Sequence, residues 1–215
     1  MGNGNRGNIM IIKNGLVFTP EGKFEKKDLY VEGEYVAKET TDNKEVEAEG
    51  CYVIPGLVDI HFHGCVRHDM CDGTEESIQA LADYEAANGV LAICPATMTI
   101  LEEELFQAMK AAKEHKNGKG ADLVGINMEG PFISPAKKGA QAAENIMHCD
   151  YEYFSRLQKA ANGLIKLVDI APEEPGAMEF IDRAKGEVII SLAHTASGYD
   201  TAREAIERGA SHATH

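Results

Sequence analysis

Val53-Ile54-Pro55-Gly56-Leu57-Val58-Asp59-Ile60-His61-Phe62-His63-Gly64 is an apolar run that ends in two histidines one residue apart. Read as a strand, its side chains alternate between faces, so His61 and His63 point the same way. Two imidazoles on one face at the C-terminal end of a strand can hold one metal ion between them. Short His-x-His matches also arise by chance, as buried histidines satisfied by hydrogen bonds. The reading therefore turns on whether the rest of the chain supplies further ligands at matching positions.

Downstream of this run, apolar strands alternate with amphipathic helices. Thr74 caps an expected helix with Ile78, Leu81 and Ala82 on one face, which stops at Asn88-Gly89. The strand 90–94 follows, and Thr99 is expected to open a second helix carrying Leu101, Leu105, Ala108, Met109 and Ala112. Leu123 to Met128 reads as the next strand, Asp150 as the cap of a third helix, and 164–170 as a fourth strand. A shorter helix over 176–185, a strand over 188–192, a helix ending at Gly209 and a strand over 210–215 complete the pattern. Such alternation implies a parallel sheet with helical crossovers, its strands apolar on both faces. A (β/α) barrel and an open doubly wound sheet both fit. No Gly-x-Gly-x-x-Gly follows the first strand, which disfavours the dinucleotide-binding open sheet.

Upstream, residues 9–52 have a different texture. Short runs such as Met10-Ile11-Ile12, Leu16-Val17-Phe18 and Leu29-Tyr30-Val31 are separated by turn chemistry at Asn14-Gly15 and Pro20-Glu21-Gly22. So few residues form little core alone, so they are expected to belong to a small sheet completed elsewhere. Residues 1–8, polar and rich in Gly and Asn, read as a flexible leader.

Composition sets outer bounds. A hydrophobic fraction of 44% and a charged fraction of 26% over 215 residues are those of an ordinary globular protein. The net charge of −14 argues against nucleic acid or an anionic membrane as partner, although a local positive pocket could still take an anionic small molecule. The five cysteines show no Cys-x-x-Cys pair and suit a reducing cytoplasm. No apolar run reaches the roughly 18 residues that span a membrane.

Polar residues collect at the C-terminal ends of several strands, where barrel enzymes keep their chemistry. His61 and His63 end the first, Glu129 the third, His194 the fifth and His215 the sixth. Singly, each is an ordinary loop carboxylate or core histidine; together they put five candidate ligands on one rim. His68, His148 and His212 do not join the set, His115 is expected to interact with a helix dipole, and the spacing of Cys65 and Cys71 is not that of a structural zinc site.

The run from Pro55 to Gly64 resembles the first-strand signature of the amidohydrolase superfamily. Met128-Glu129-Gly130-Pro131-Phe132 with Lys137-Lys138-Gly139-Ala140, then Ala171-Pro172-Glu173, Leu192-Ala193-His194-Thr195 and Thr214-His215, resemble the N-acetylglucosamine-6-phosphate deacetylase family within it. The resemblance implies a (β/α)8 TIM-type barrel over residues 53–215, truncated after about the sixth strand, with residues 9–52 as part of a small β-sandwich. It implies that Glu129, His194 and His215 hold a catalytic divalent metal, zinc or iron, with His61 and His63 the site of a second ion. Ala140 and Gln141 align with a substrate-contacting pair, although members often carry His where this chain has Gln141. The implied reaction is removal of the acetyl group from an amino-sugar phosphate by a cytoplasmic enzyme that is a homodimer when full length. The family's acid/base Asp is expected beyond residue 215, so residues 1–215 alone are expected to be inactive. Two other readings compete. One is a different metal-dependent amidohydrolase such as a cyclic amidase, in which a carboxylated Lys would bridge two metals, whereas the strand-end candidates here are Glu129 and Asp169. The other is a barrel kept as a non-enzymatic scaffold.

Overall fold

The computed structural model describes residues 10–33, 35–40 and 44–215, and the expected leader over 1–8 lies outside them. The chain divides into two compact units, Met1–Pro55 and Gly56–His215.

The first unit is a five-stranded sheet built around β1 (Met10–Phe18). β1 pairs antiparallel with β2 (Phe24–Glu32), which pairs with β3 (Tyr35–Ala37); on its other side it runs parallel to β4 (Glu45–Glu47) and β5 (Tyr52–Val53). The turn expected at Asn14-Gly15 is instead a bulge within one long strand, where the register shifts between Ile12 and Gly15. Asn14 takes φ 59°, its N–H donates to Asp28 Oδ1 at 2.9 Å, and its side chain donates to Glu47, so local side-chain bonds pin the kink. Gly15 follows because a Cβ there would lie 2.5 Å from Val53 Cγ2.

The second unit carries parallel strands and crossover helices. β6 (Leu57–Asp59) is followed by a two-residue hairpin, β7 (Gly64–Cys65) and β8 (His68–Asp69). Then come α1 (Glu75–Ala87), β9 (Val90–Ile93), α2 (Glu102–Glu114), β10 (Asp122–Leu123) and β11 (Ile126–Glu129). The chain continues through α3 (Tyr151–Ala160), β12 (Ile165–Ile170), α4 (Ala177–Ala184), β13 (Ile189–Leu192), α5 (Tyr199–Arg208) and β14 (His212–Ala213). The hydrogen-bonded orders are β10-β9-β6 and β11-β12-β13-β14, joined by a parallel bridge between Ala96 and Asn127. The third strand breaks at Val124-Gly125, where an added Cβ on Gly125 would lie 2.5 Å from the Lys166 side chain.

Asp150 caps α3 as expected, accepting from the N–H groups of Glu152 and Tyr153, and Thr74 caps α1 through Ser77 N–H. Thr99 does not cap α2. The helix starts at Glu102 and the Thr99 backbone is turned inward, its N–H donating to Gln141 Oε1 at 2.6 Å. Phe132, Phe154 and Phe180 centre the core, with ring centroids 5.3 and 5.5 Å apart along the chain of contacts; burying each contributes about 2–3 kcal/mol. Burial on both faces holds for β11 and most of β12. It fails at the strand starts: Leu57, Leu91 and Ile189 are exposed because no described residue covers them.

Candidate metal centre

The site begins with Glu129, the last residue of β11, whose side chain is 2% exposed. Four imidazoles surround its carboxylate. Oε1 lies 2.6 Å from His194 Nε2 and 3.5 Å from His215 Nε2. Oε2 lies 3.0 Å from His61 Nε2 and 3.2 Å from His63 Nε2. The carboxylate thus sits between two histidine pairs, one facing each oxygen. His61, Glu129 and His215 by themselves bring three ligand atoms within 4.8 Å of one another.

The backbone delivers these side chains by different means. β6 stops at Asp59, so His61 and His63 stand in the loop just beyond it rather than on the strand. Asp59 Oδ1 accepts His61 N–H at 2.9 Å and fixes that turn. His194 and His215 have φ of 45° and 30°, a region non-glycine residues seldom occupy, and strain of this kind concentrates at functional sites. Gly130 has φ 78°, and a Cβ there would meet Thr99 Oγ1 at 2.1 Å, so only glycine follows Glu129.

Orienting hydrogen bonds determine which ring nitrogen faces the carboxylate. His194 Nδ1 donates to Lys137 O at 2.8 Å and His63 Nδ1 to Ala96 O at 3.3 Å. A carbonyl only accepts, so both neutral rings carry their proton on Nδ1 and turn a bare Nε2 inward. His194 Nε2 then faces a carboxylate oxygen across 2.6 Å, a gap that a shared proton can bridge and that would widen around a bound ion. Glu129 Oε2 is buried without a hydrogen-bond donor in good geometry, although two imidazole nitrogens stand beside it. Four-coordinate zinc sites with bonds of about 2.1 Å hold their donors about 3.4 Å apart, a spacing that His63 and His215 approach and that His61 and His194 would reach by moving outward by less than about 1 Å. The residues fit a divalent ion.

Burial opposes the charged form of Glu129, but the imidazoles of His61, His63 and His194 outweigh it and hold the carboxyl well below its ordinary range. The same carboxylate raises the His63 imidazole despite its burial. Gln141, 2% exposed, donates from Nε2 to Glu129 Oε1 at 2.9 Å while its Oε1 accepts Thr99 N–H, so both ends are engaged. Ala140 beside it is exposed.

The remaining candidates stay outside. His68 Nδ1 meets Ser77 Oγ, and His212 Nδ1 meets Ser191 Oγ at 3.0 Å. His115 stands at the C-terminal end of α2, half-buried with both ring nitrogens unpaired, and burial lowers its pKa. Cys71 Sγ accepts Met98 N–H and burial pushes its thiol up to about 12. Two further inward polar residues border the site: Asn127, which the sequence reading passed over, and Asp169, which entered it only as a strand-end carboxylate. Asn127, fully buried, contacts Ile60 O and His61 Nδ1. Asp169, fully buried on β12, accepts from Thr214 Oγ1 at 2.8 Å and leaves Oδ2 unpaired. Asn127 had a signal, since it is the one polar residue in Ile126–Met128 and lies two before Glu129, hence on the same face.

A sequence model of the amidohydrolase family matches residues 52–215, three quarters of the chain. The chain belongs to the amidohydrolase family. Among its relatives is N-acetylglucosamine-6-phosphate deacetylase of Bacillus subtilis strain 168, 35% identical over 212 residues, which are 95% of this chain and 52% of the relative. N-acetylgalactosamine-6-phosphate deacetylase of Escherichia coli O157:H7 is 27% identical over 209 residues, covering 95% of this chain and 55% of the relative. Among solved structures, an Asp-to-Ala variant of the Mycobacterium smegmatis deacetylase in complex with N-acetyl-D-glucosamine 6-phosphate superposes with TM-score 0.85. It is 26% identical, with 97% of this amidohydrolase and 56% of that chain covered. The chain spans about half the length of the relatives it matches.

Proposed function

We propose that this amidohydrolase supplies the metal-holding part of a deacetylase acting on N-acetylglucosamine 6-phosphate, releasing acetate and glucosamine 6-phosphate. The observation that carries the reading is the buried Glu129 carboxylate with an imidazole pair at each oxygen. The names and coverage of the relatives supply the substrate class.

In this reading Glu129, His194 and His215 hold the first divalent ion, zinc by the donor set, and His61 with His63 the second. When bound, such an ion lowers the pKa of a water ligand to about 7 and polarises an amide carbonyl. Glu129 stays ionised at neutral pH because the imidazoles outweigh its burial. The carbonyls of Lys137 and Ala96 keep the Nε2 atoms of His194 and His63 free to ligate. Ala140, exposed at the rim, is proposed to meet the sugar. Gln141 lies beside it but acts first on Glu129. The strand-end carboxylate next to Glu129 is Asp169, not a lysine, which weighs against the cyclic-amidase alternative.

The substrate is a small anion, reached without nucleic acid or membrane, and a cytoplasmic homodimer is proposed for the full-length protein. All five cysteines are free, in keeping with a reducing compartment. Among the described residues no helix is long and apolar enough to cross a membrane.

Two measurements test the proposal. Zinc titration of the metal-free chain by calorimetry should show tight uptake that His194→Ala and His215→Ala abolish. A protein of the relatives' full length should release acetate from N-acetylglucosamine 6-phosphate. Absence of metal uptake by the folded chain overturns the metal assignment, and uptake without acetate release overturns the substrate.

A further inference from the structure

The five candidate ligands are not equally ready to bind. His63 and His194 each donate from Nδ1 to a carbonyl and present a bare Nε2. His61 differs. Its Nδ1 lies 3.0 Å from Asn127 Nδ2, and the same amide nitrogen lies 3.2 Å from Ile60 O. Ile60 O can only accept, so the amide must turn its NH2 group toward it. That leaves the second N–H of Asn127 aimed at His61 Nδ1, which therefore accepts. A neutral imidazole that accepts at Nδ1 carries its proton on Nε2, the atom facing Glu129 Oε2. A protonated Nε2 has no lone pair for a metal.

We infer that Asn127 sets the tautomer of His61 and thereby decides whether the His61–His63 pair takes an ion. The same placement of the amide that turns its NH2 group to Ile60 O and His61 leaves Asn127 Oδ1 buried without a hydrogen-bond partner. Turning the amide by half a revolution would let Oδ1 accept His61 Nδ1–H and free Nε2 for the ion, at the cost of both Nδ2 bonds, to Ile60 O and to His61 Nδ1. The turned arrangement keeps one hydrogen bond where the observed one makes two, so the observed tautomer of His61 is the one the amide favours before an ion is present. Loading of the second position is thus coupled to a side-chain amide that touches neither ion nor substrate, which makes Asn127 a positioning residue.

The inference rests on the metal reading for its consequence, but its first test does not. Nitrogen-15 NMR of the imidazoles in the metal-free chain at alkaline pH should find His61 protonated on Nε2 and His63 on Nδ1. His61 protonated on Nδ1 overturns the inference whatever the metal does. In metal titrations, Asn127→Asp, whose carboxylate accepts from Nδ1–H, should tighten the second ion by about 10–100-fold. Asn127→Leu, which has no donor and adds no charge, should tighten it less and remove the Nε2–H preference in the NMR spectrum. An unchanged second affinity in Asn127→Leu, with its fold verified by circular dichroism, overturns the control by Asn127. A chain with the expected tautomers that takes up no ion sinks the metal assignment, and with it any functional consequence of the tautomer.

Discussion

Glu129 and Asp169 are register partners on adjacent strands, β11 and β12, both carboxylates and both almost wholly buried. Their surroundings drive them in opposite directions. Glu129 meets four imidazoles, and those of His61, His63 and His194 overcome its burial and hold it ionised. Asp169 meets hydroxyls. Burial pushes its carboxyl up, the hydrogen bonds of Thr214 and Ser191 only partly oppose this, and the charge of Glu129 adds to the rise. Depth in the sheet therefore does not decide the charge of a carboxyl here; the capacity of its partners to hold a cation does.

The largest expected break in this comparison is Glu129→Gln. It removes the one anion shared by both histidine pairs and should lower zinc affinity by more than about 100-fold, measured by competition with a chelator. The next is Gln141→Ala, which releases Glu129 Oε1 and Thr99 N–H from their common partner. It should cost about tenfold in zinc affinity while leaving the circular dichroism spectrum unchanged.

The pH responses of the two carboxyls should also oppose each other. Glu129 has a folded pKa below its ordinary value of 4.5, so its contribution to stability is full above that value and lost as pH falls below it. Thermal melts of the metal-free chain on the acid side should therefore show a decline that Glu129→Gln lacks. Asp169 has a folded pKa above its ordinary 3.8, so its contribution is full below that value and lost as pH rises through the folded pKa. Asp169→Asn should remove this loss and raise stability at neutral pH by on the order of 1 kcal/mol, the scale of one unsatisfied buried polar group. In a chain of this size that is about 2–4 °C in melting temperature. A lower melting temperature for Asp169→Asn at neutral pH would contradict the account of the pair.

The sequence displays the alternation of strands and helices because Asn-Gly and Gly stops punctuate it. It displays the candidate ligands because each follows an apolar run. Thr99 misled the reading: it has the chemistry of a helix cap, but its backbone N–H is claimed by Gln141, 42 residues away in the chain. Local propensity carries no record of that partner. Asn14-Gly15 misled it similarly, since turn residues also serve a bulge once Asp28 and Glu47 from neighbouring strands take up the Asn14 donors. The support of Glu129 by Gln141 and of His61 by Asn127 depends on side chains meeting across strands, a relation that spacing does not express.

One loop joins candidate ligands that the sheet keeps on separate strands. Between Ser134 and Gln141 it contributes Ser134 N–H to His194 O, Lys137 O to His194 Nδ1 and Gln141 Nε2 to Glu129 Oε1. The grip on a bound ion is therefore not divided into independent parts. An insertion, deletion or protease cut in these eight residues would slacken the Glu129 and His194 side chains together, so whatever they hold would be loosened at two points by one lesion.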